Sequence, residues 1–406
     1  MKFSAKTGIN WFKRLIKEDV GLVYTALGSL GSAILGALFW FILASVLEVE
    51  NYGLANYYIA LASIFAALGT IGLDTTITTY LAKGERETLY AANSLSLISG
   101  LLSAFVLSIF QLFSGFLSAS MIFFAMTMAE ILGEKMYRQY AFVSIGHRLG
   151  QITLSILLYT RFGIPGIILG YFLGAIIFSY KYFKSISKFT LKFDSLKEKR
   201  NFTFHSYGFN LIKTFSTYLD KVVIAPLFGY HTLGLYQLGF QFFMFLSTIP
   251  MSLYQYLLPE ESSGKDKTKV KLISLILAVA TSLLVFALTP YLIKYFFASF
   301  TESVQVVSVM SLAVIPSTIS AIQNATLLGK EKSKTVFTAG LIYLAALTIG
   351  FITMGKIISV LGLGLALVIA QTIQATYLSI KTNLKSTIKA VNIWKVFRQS
   401  FEKKHN

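Results

Sequence analysis

The stretch SYGFNLIKTFSTYLDKVVIAPLFG, Ser206 to Gly229, decides how the rest of the chain is read. It is mostly apolar and long enough to cross a hydrocarbon core of roughly 30 Å as a helix. Yet it carries Lys213, Asp220 and Lys221. At 3.6 residues per turn, Ser206, Asn210, Lys213, Thr217 and Asp220 fall on one stripe, with Thr214 and Lys221 beside it. An ionised side chain at mid-bilayer costs about 2.5–3.5 kcal/mol even on the lenient insertion scale. Three on one helix require a wet cavity or charged partners on neighbouring helices. Asp220 and Lys221 are sequence neighbours, about 100° apart around the helix. They are therefore expected to meet opposite charges on other helices and not each other. Structural ion pairing and a polar pathway both account for the stripe, and intramembrane ionisable residues as a class favour the pathway.

The whole chain has the composition such a helix requires. Its 406 residues are 55% hydrophobic and only 13% charged, with a mean hydropathy of +0.67, whereas soluble proteins carry about 25% charged residues. An all-α integral membrane protein is expected. Cysteine is absent, which excludes disulfides, thiolate metal sites and cysteine nucleophiles. The four histidines, His147, His205, His231 and His405, have no ligand spacing, so no metal site is expected. No nucleotide-binding motif is present: Gly329-Lys330 lacks the upstream glycine of a phosphate loop, and Gly362-Leu363-Gly364 sits inside an apolar run. A net charge of +18 would suggest nucleic acid in a soluble protein, but in a membrane protein the positive-inside rule accounts for it. No nucleic-acid partner is expected.

Twelve spans are predicted. The first six lie near 20–47, 52–73, 89–113, 116–133, 141–160 and 164–183; the second six near 207–228, 233–258, 272–297, 304–328, 336–354 and 357–380. In the first, Gly28, Ser32 and Gly36 recur every fourth residue and form a small-residue face for close helix contact. In the fifth, twelve residues separate Arg148 from Arg161, about 18 Å of helix and too short for the core. That helix must begin near Ala141, which draws His147 and Arg148 into the membrane.

Of the 36 Lys and Arg residues, Arg161, Lys294 and Lys356 lie in odd-numbered connections and Arg148, Lys213 and Lys221 within spans; the remaining 30, counting Lys181 at the very end of the sixth span, lie in the amino terminus, the even-numbered connections and the tail. This asymmetry predicts a multi-pass protein of the cell membrane with both termini cytoplasmic. The expected organisation is an interfacial amino terminus (1–19), a six-helix bundle (20–183), a basic cytoplasmic linker (184–205), a second six-helix bundle (206–380) and a basic amphipathic tail (381–406). The two end segments mix basic residues with Trp11, Trp394, Phe397 and other apolar anchors, as expected of helices resting on an anionic leaflet.

Tyr52-Gly53 and the span behind it overlay Leu233-Gly234 and its span in a register of 181 residues. Both copies enter from the same side, so the bundles are expected to be parallel repeats around a central cavity. Beyond this, DKVVIAPLFGYHTLGLYQLGFQFFMFLSTIPMSLYQYLLPEES resembles the polysaccharide and O-antigen flippases of the multidrug, oligosaccharidyl-lipid and polysaccharide exporter superfamily. The matching residues are Asp220, Lys221, Gly229, Gly234, Tyr236, Pro250 and Pro259. Tyr52-Gly53, Gly72-Leu73 and Tyr80-Leu81-Ala82-Lys83 form the companion pattern in the first half. Many relatives carry arginine where Thr79 stands here.

The resemblance implies a transporter, not an enzyme, that moves a lipid-linked oligosaccharide or polysaccharide precursor from the cytoplasmic to the outer leaflet by alternating access. The implied partners are a polyprenyl-(pyro)phosphate-linked glycan, membrane lipids, and a glycan polymerase or glycosyltransferases. Lys213, Lys221 and Arg148 are candidates for holding the anionic diphosphate, with Asp220, Asn210 and Thr217 on the same polar surface. No cofactor is expected, and a proton or sodium gradient or the membrane potential is the implied energy source. Asp74 and Glu130 are candidate ion carriers, or else interfacial carboxylates near span ends. A multidrug or small-molecule antiporter of the same superfamily is the alternative. A cavity with more Lys and Arg than Asp and Glu argues against that, since such exporters usually handle cations or amphiphiles. A membrane glycosyltransferase or polymerase is a third class, which the shortness of every outer connection disfavours.

Overall fold

The computed structural model describes residues 20–248 and 268–382 and, between them, residues 250, 253, 254, 257, 258 and 261. The expected interfacial segments 1–19 and 383–406 lie outside the described residues. Every regular element among the described residues is a helix. Eight are long and apolar enough to cross a membrane, or nine if the bent pair Ile164–Ile177 and Tyr180–Lys188 counts as one span.

The chain divides into two compact units, Met1–Val222 and Val223–Asn406. The first contains α1 (Val20–Val46), α2 (Val49–Thr70), α3 (Leu73–Leu81), α4 (Arg86–Ser108), α5 (Leu112–Gly133), α6 (Tyr137–Phe162), α7 (Ile164–Ile177), α8 (Tyr180–Ser185) and α9 (Asp194–Glu198). At its centre is α5, against which α2, α3, α4, α6, α7 and α8 all pack. Small residues make this possible. Ser114, Gly115, Ser118 and Ala119 are buried, and a Cβ on Gly115 would come within 2.5 Å of the Ala104 carbonyl oxygen on α4. Hydroxyls satisfy one another where no water reaches: Ser103 bonds Ser118 at 3.1 Å and donates to the Phe65 carbonyl at 3.2 Å.

The predicted small-residue face of α1 meets α6, with Gly28 against Ala141 and Gly36 against the Arg148 guanidinium. On α7, Gly166, Gly170 and Gly174 repeat the device against the backbone of Leu158, Ser155 and Gln151. Close approach needs no hydrophobic drive here; small side chains let backbones gain dispersion contacts that lipid tails cannot supply.

The next helix, α10 (Arg200–Leu246), contains Pro226 and breaks at Gly229 (φ 85°, ψ 168°). Proline removes a helical hydrogen bond and glycine accepts the left-handed φ, so the sequence dictates the break. The boundary between the compact units falls inside α10 because its first turns, and Lys199 just before them, pack on α3 and the turn that follows it. Thr203 bonds Thr76 at 2.9 Å, Lys199 pairs with Glu85 at 2.7 Å, and Phe202 meets Tyr80 edge-on at 5.5 Å.

The second unit contains α11 (Thr268–Phe296), α12 (Val304–Ser311), α13 (Val314–Gly329) and α14 (Ser333–Lys381). Like α10, α14 is interrupted, at Ile358 (φ −130°, ψ 26°) and Ser359 (φ 52°, ψ −135°). Tyr236 is fully buried in this unit, edge-on to Phe351 with centroids 5.6 Å apart.

Candidate functional site

Helices α1, α3, α5 and α6 line an open-sided cavity of about 600 Å³ in the first unit, within the size range of small-molecule sites. Asp74 and Arg148, read from sequence as an ion carrier and a substrate cation, line the same cavity. Asp74 sits in the first turn of α3, where the helix dipole favours a carboxylate. The turn that delivers it runs through Ile71 (φ 52°) and Gly72 (φ 72°), and Thr78 ties α3 to its own first turn by donating to the Asp74 carbonyl at 2.9 Å.

Asn210 is the tertiary partner of this carboxylate. Its Nδ2 lies 3.2 and 3.3 Å from the two Asp74 oxygens and 3.3 Å from the Thr75 hydroxyl. Lys213 is exposed and within electrostatic reach of Asp74. The Thr217 hydroxyl turns back to the Lys213 carbonyl at 3.1 Å, so this member of the stripe is used within its own helix.

Arg148 donates through Nη1 to Gln151 at 3.0 Å, and its Nε is buried without a hydrogen-bond partner. Next to it, His147 also lines the cavity. It is 8% exposed, stacks on Phe124 at a centroid distance of 3.7 Å, and its Nε2 has no hydrogen-bond partner. A buried polar atom without a partner is costly, which makes His147 a site residue that sequence reasoning missed. The available signal was its position inside the fifth span beside Arg148.

Asp220 and Lys221 correct the expectation drawn from helical geometry. Both are buried, and Lys221 Nζ lies 3.0 and 3.2 Å from the Asp220 carboxylate oxygens. The pair is direct because a four-carbon stem reaches around the helix even when the Cα positions diverge by about 100°. The same ammonium donates to the Thr217 carbonyl at 2.8 Å. Glu130 stands apart from the cavity. At the end of α5 it lies 3.9 Å from Lys181, which also bonds Glu134, itself 3.7 Å from Arg86. That arrangement is an ion-pair cluster joining the ends of α4, α5 and α8.

Comparison with solved structures gives the lipid II flippase MurJ in an inward closed conformation, at TM-score 0.68 and 17% identity, covering 91% of this chain and 90% of that one. An inward-facing multidrug resistance MATE transporter of the MOP superfamily follows at 0.67 and 13%, covering 90% and 96%. The eukaryotic MATE transporter AtDTX14 superposes at 0.58 and 14%, covering 93% and 98%. At these identities the likeness is one of fold. Comparison with curated protein sequences finds no significant match. The profile of the family described as "Polysaccharide biosynthesis protein" matches residues 20–259, more than half of the chain, and the chain belongs to that family.

Proposed function

We propose that the protein is a flippase that carries a lipid-linked oligosaccharide or polysaccharide precursor from the cytoplasmic to the outer leaflet. The observation that carries this reading is the cavity lined jointly by Arg148, Asp74, His147 and several hydroxyl groups. A sugar-diphosphate head cannot cross about 30 Å of hydrocarbon unaided. A guanidinium suits its phosphate oxygens, and a carboxylate with hydroxyls suits its sugar. In this reading Arg148 and Lys213 attract the diphosphate, Asp74 and Asn210 form the polar surface that the head group or a coupling cation meets, and the Asp220–Lys221 pair holds α10 in shape. Family membership supports a role in polysaccharide biosynthesis.

Twelve crossings fit the reading. The helices of 47 and 49 residues each break near the middle, and each half approaches the length of a span. Both termini are then cytoplasmic, consistent with the charge asymmetry of the connections.

The second reading is a multidrug or small-molecule antiporter, favoured by the Asp74 carboxylate in the cavity and by the likeness to MATE transporters. Deletion of the gene separates the two. A diphosphate-linked glycan accumulating on the cytoplasmic leaflet, cleared by the wild type and not by a normally inserted Arg148→Gln protein, supports the flippase. Unchanged lipid-linked glycans with new drug sensitivity support the antiporter.

A further inference from the structure

A second concavity, of about 700 Å³, lies between the start of α1 and the turn joining α5 to α6. Its lining includes Tyr24, Lys135, Met136, Tyr137, Arg138 and Phe142. We infer that this groove binds the phosphate headgroup of an anionic phospholipid, with Lys135 and Arg138 as the headgroup cations. On the charge asymmetry of the connections, the lipid belongs to the cytoplasmic leaflet.

Among the described residues the local charge is uncompensated. The two carboxylates nearest in sequence, Glu130 and Glu134, are engaged by Lys181 and Arg86. Lys135 and Arg138 form no ion pair with any described residue, and both are exposed. The turn carrying them is fixed. Lys135 has a left-handed φ of 57°, its amide bonds the Leu132 carbonyl at 3.0 Å, and the Met136 amide bonds the Ile131 carbonyl at 3.0 Å. The backbone corner that carries these two cations, three residues apart, is thus fixed.

The walls choose a lipid over a soluble anion. Phe142 is 74% exposed and Met136 42%. Leu149, two turns beyond Phe142 on α6, is also exposed and continues the same apolar face. That face gives an acyl chain a track below the headgroup, and it offers nothing to inorganic phosphate. Gly21 lets Tyr137 pack closely on α1, since a Cβ there would lie 2.6 Å from a ring carbon, and this contact joins the two sides of the groove. Basic pockets between membrane helices on the cytoplasmic side recur as acidic-headgroup sites for the same physical reason.

The site is independent of the transported substrate, so its test does not depend on the flippase reading. Purified full-length protein in detergent is titrated with phosphatidylglycerol or phosphatidylcholine and followed by native mass spectrometry. The wild type should retain phosphatidylglycerol in preference. The double variant Lys135→Gln/Arg138→Gln should bind it roughly 30-fold more weakly, about fivefold for each cation. The variant Lys184→Gln/Lys192→Gln changes net charge equally at exposed linker positions and should bind as the wild type does. Equal binding by the two double variants overturns the proposal. Competition by inorganic phosphate at matched concentration also overturns it, because the groove would then be a soluble-anion site. Should the double variant fail to fold, a photoactivatable phosphatidylglycerol on the wild type decides: crosslinks within residues 20–24 and 135–149 support the groove, and crosslinks confined elsewhere refute it.

Discussion

Gly72→Ala tests how the first turns of α10 pack within the first unit. Gly72 has φ +72°, a conformation that costs an L-residue about 1–2 kcal/mol. A Cβ there would also lie 2.6 Å from the Thr203 carbonyl oxygen, 2.8 Å from the Tyr207 nitrogen and 3.1 Å from its Cα. These are backbone atoms and no rotamer change relieves them, so α10 must move; overpacking of this kind adds about 1–3 kcal/mol. The total loss is then roughly 2–5 kcal/mol. Gly84 supplies the control. It also has positive φ (+92°), but a Cβ added to it meets nothing within 4 Å, so Gly84→Ala carries only the backbone cost. Thermal unfolding of both variants in detergent, monitored by the exposure of buried side chains, should find Gly72→Ala clearly the less stable. Moving α10 also separates Asn210 from Asp74, so transport per folded molecule should fall in Gly72→Ala and not in Gly84→Ala. Equal stability and equal transport would refute the docking of α10 through Gly72.

The Asp220–Lys221 pair makes a prediction of the opposite kind. Lys221→Met leaves a carboxylate that is 2% exposed without its cation, and breaking one side of a buried pair costs about 3–5 kcal/mol. Folded yield should drop sharply, and Asp220→Asn/Lys221→Met should restore most of it; wild-type yield from the single variant would mean that the pair is not a structural unit. Topology gives a third test: reporters fused at Ser195 and at the carboxyl terminus should both register cytoplasm. An external signal from either position contradicts the positive-inside assignment.

The sequence by itself determined the solvent, the element type and the places where helices must bend or touch. Low charge with long apolar runs leaves only helices, because backbone groups in lipid must bond within their own segment. The separation of the seventh and eighth spans near 228–233 anticipated the break that α10 shows at Gly229, and Gly28, Ser32 and Gly36 anticipated the close contact of α1. The shortness of the Arg148–Arg161 interval correctly drew His147 and Arg148 into a span, and that helix runs from Tyr137 to Phe162. Asp220, Lys221, Gly229, Gly234 and Tyr236, with Tyr52-Gly53 in the first half, carry the resemblance to the polysaccharide flippases, and the family profile matches residues 20–259.

Tertiary structure alone decided which polar groups meet. Asp74 finds Asn210 across 136 positions of sequence, and Glu130 finds Lys181 at the end of a different helix. Periodicity assigns a residue to a face but not the helix that face will meet, and in lipid many apolar pairings are nearly equivalent. Helical-wheel reasoning also treats side chains as short spokes. It therefore separated Asp220 from Lys221, which the flexible lysine stem brings together. The unpartnered nitrogen of His147 is a property of the cavity that four helices line together, and no one of those helices carries it in its sequence.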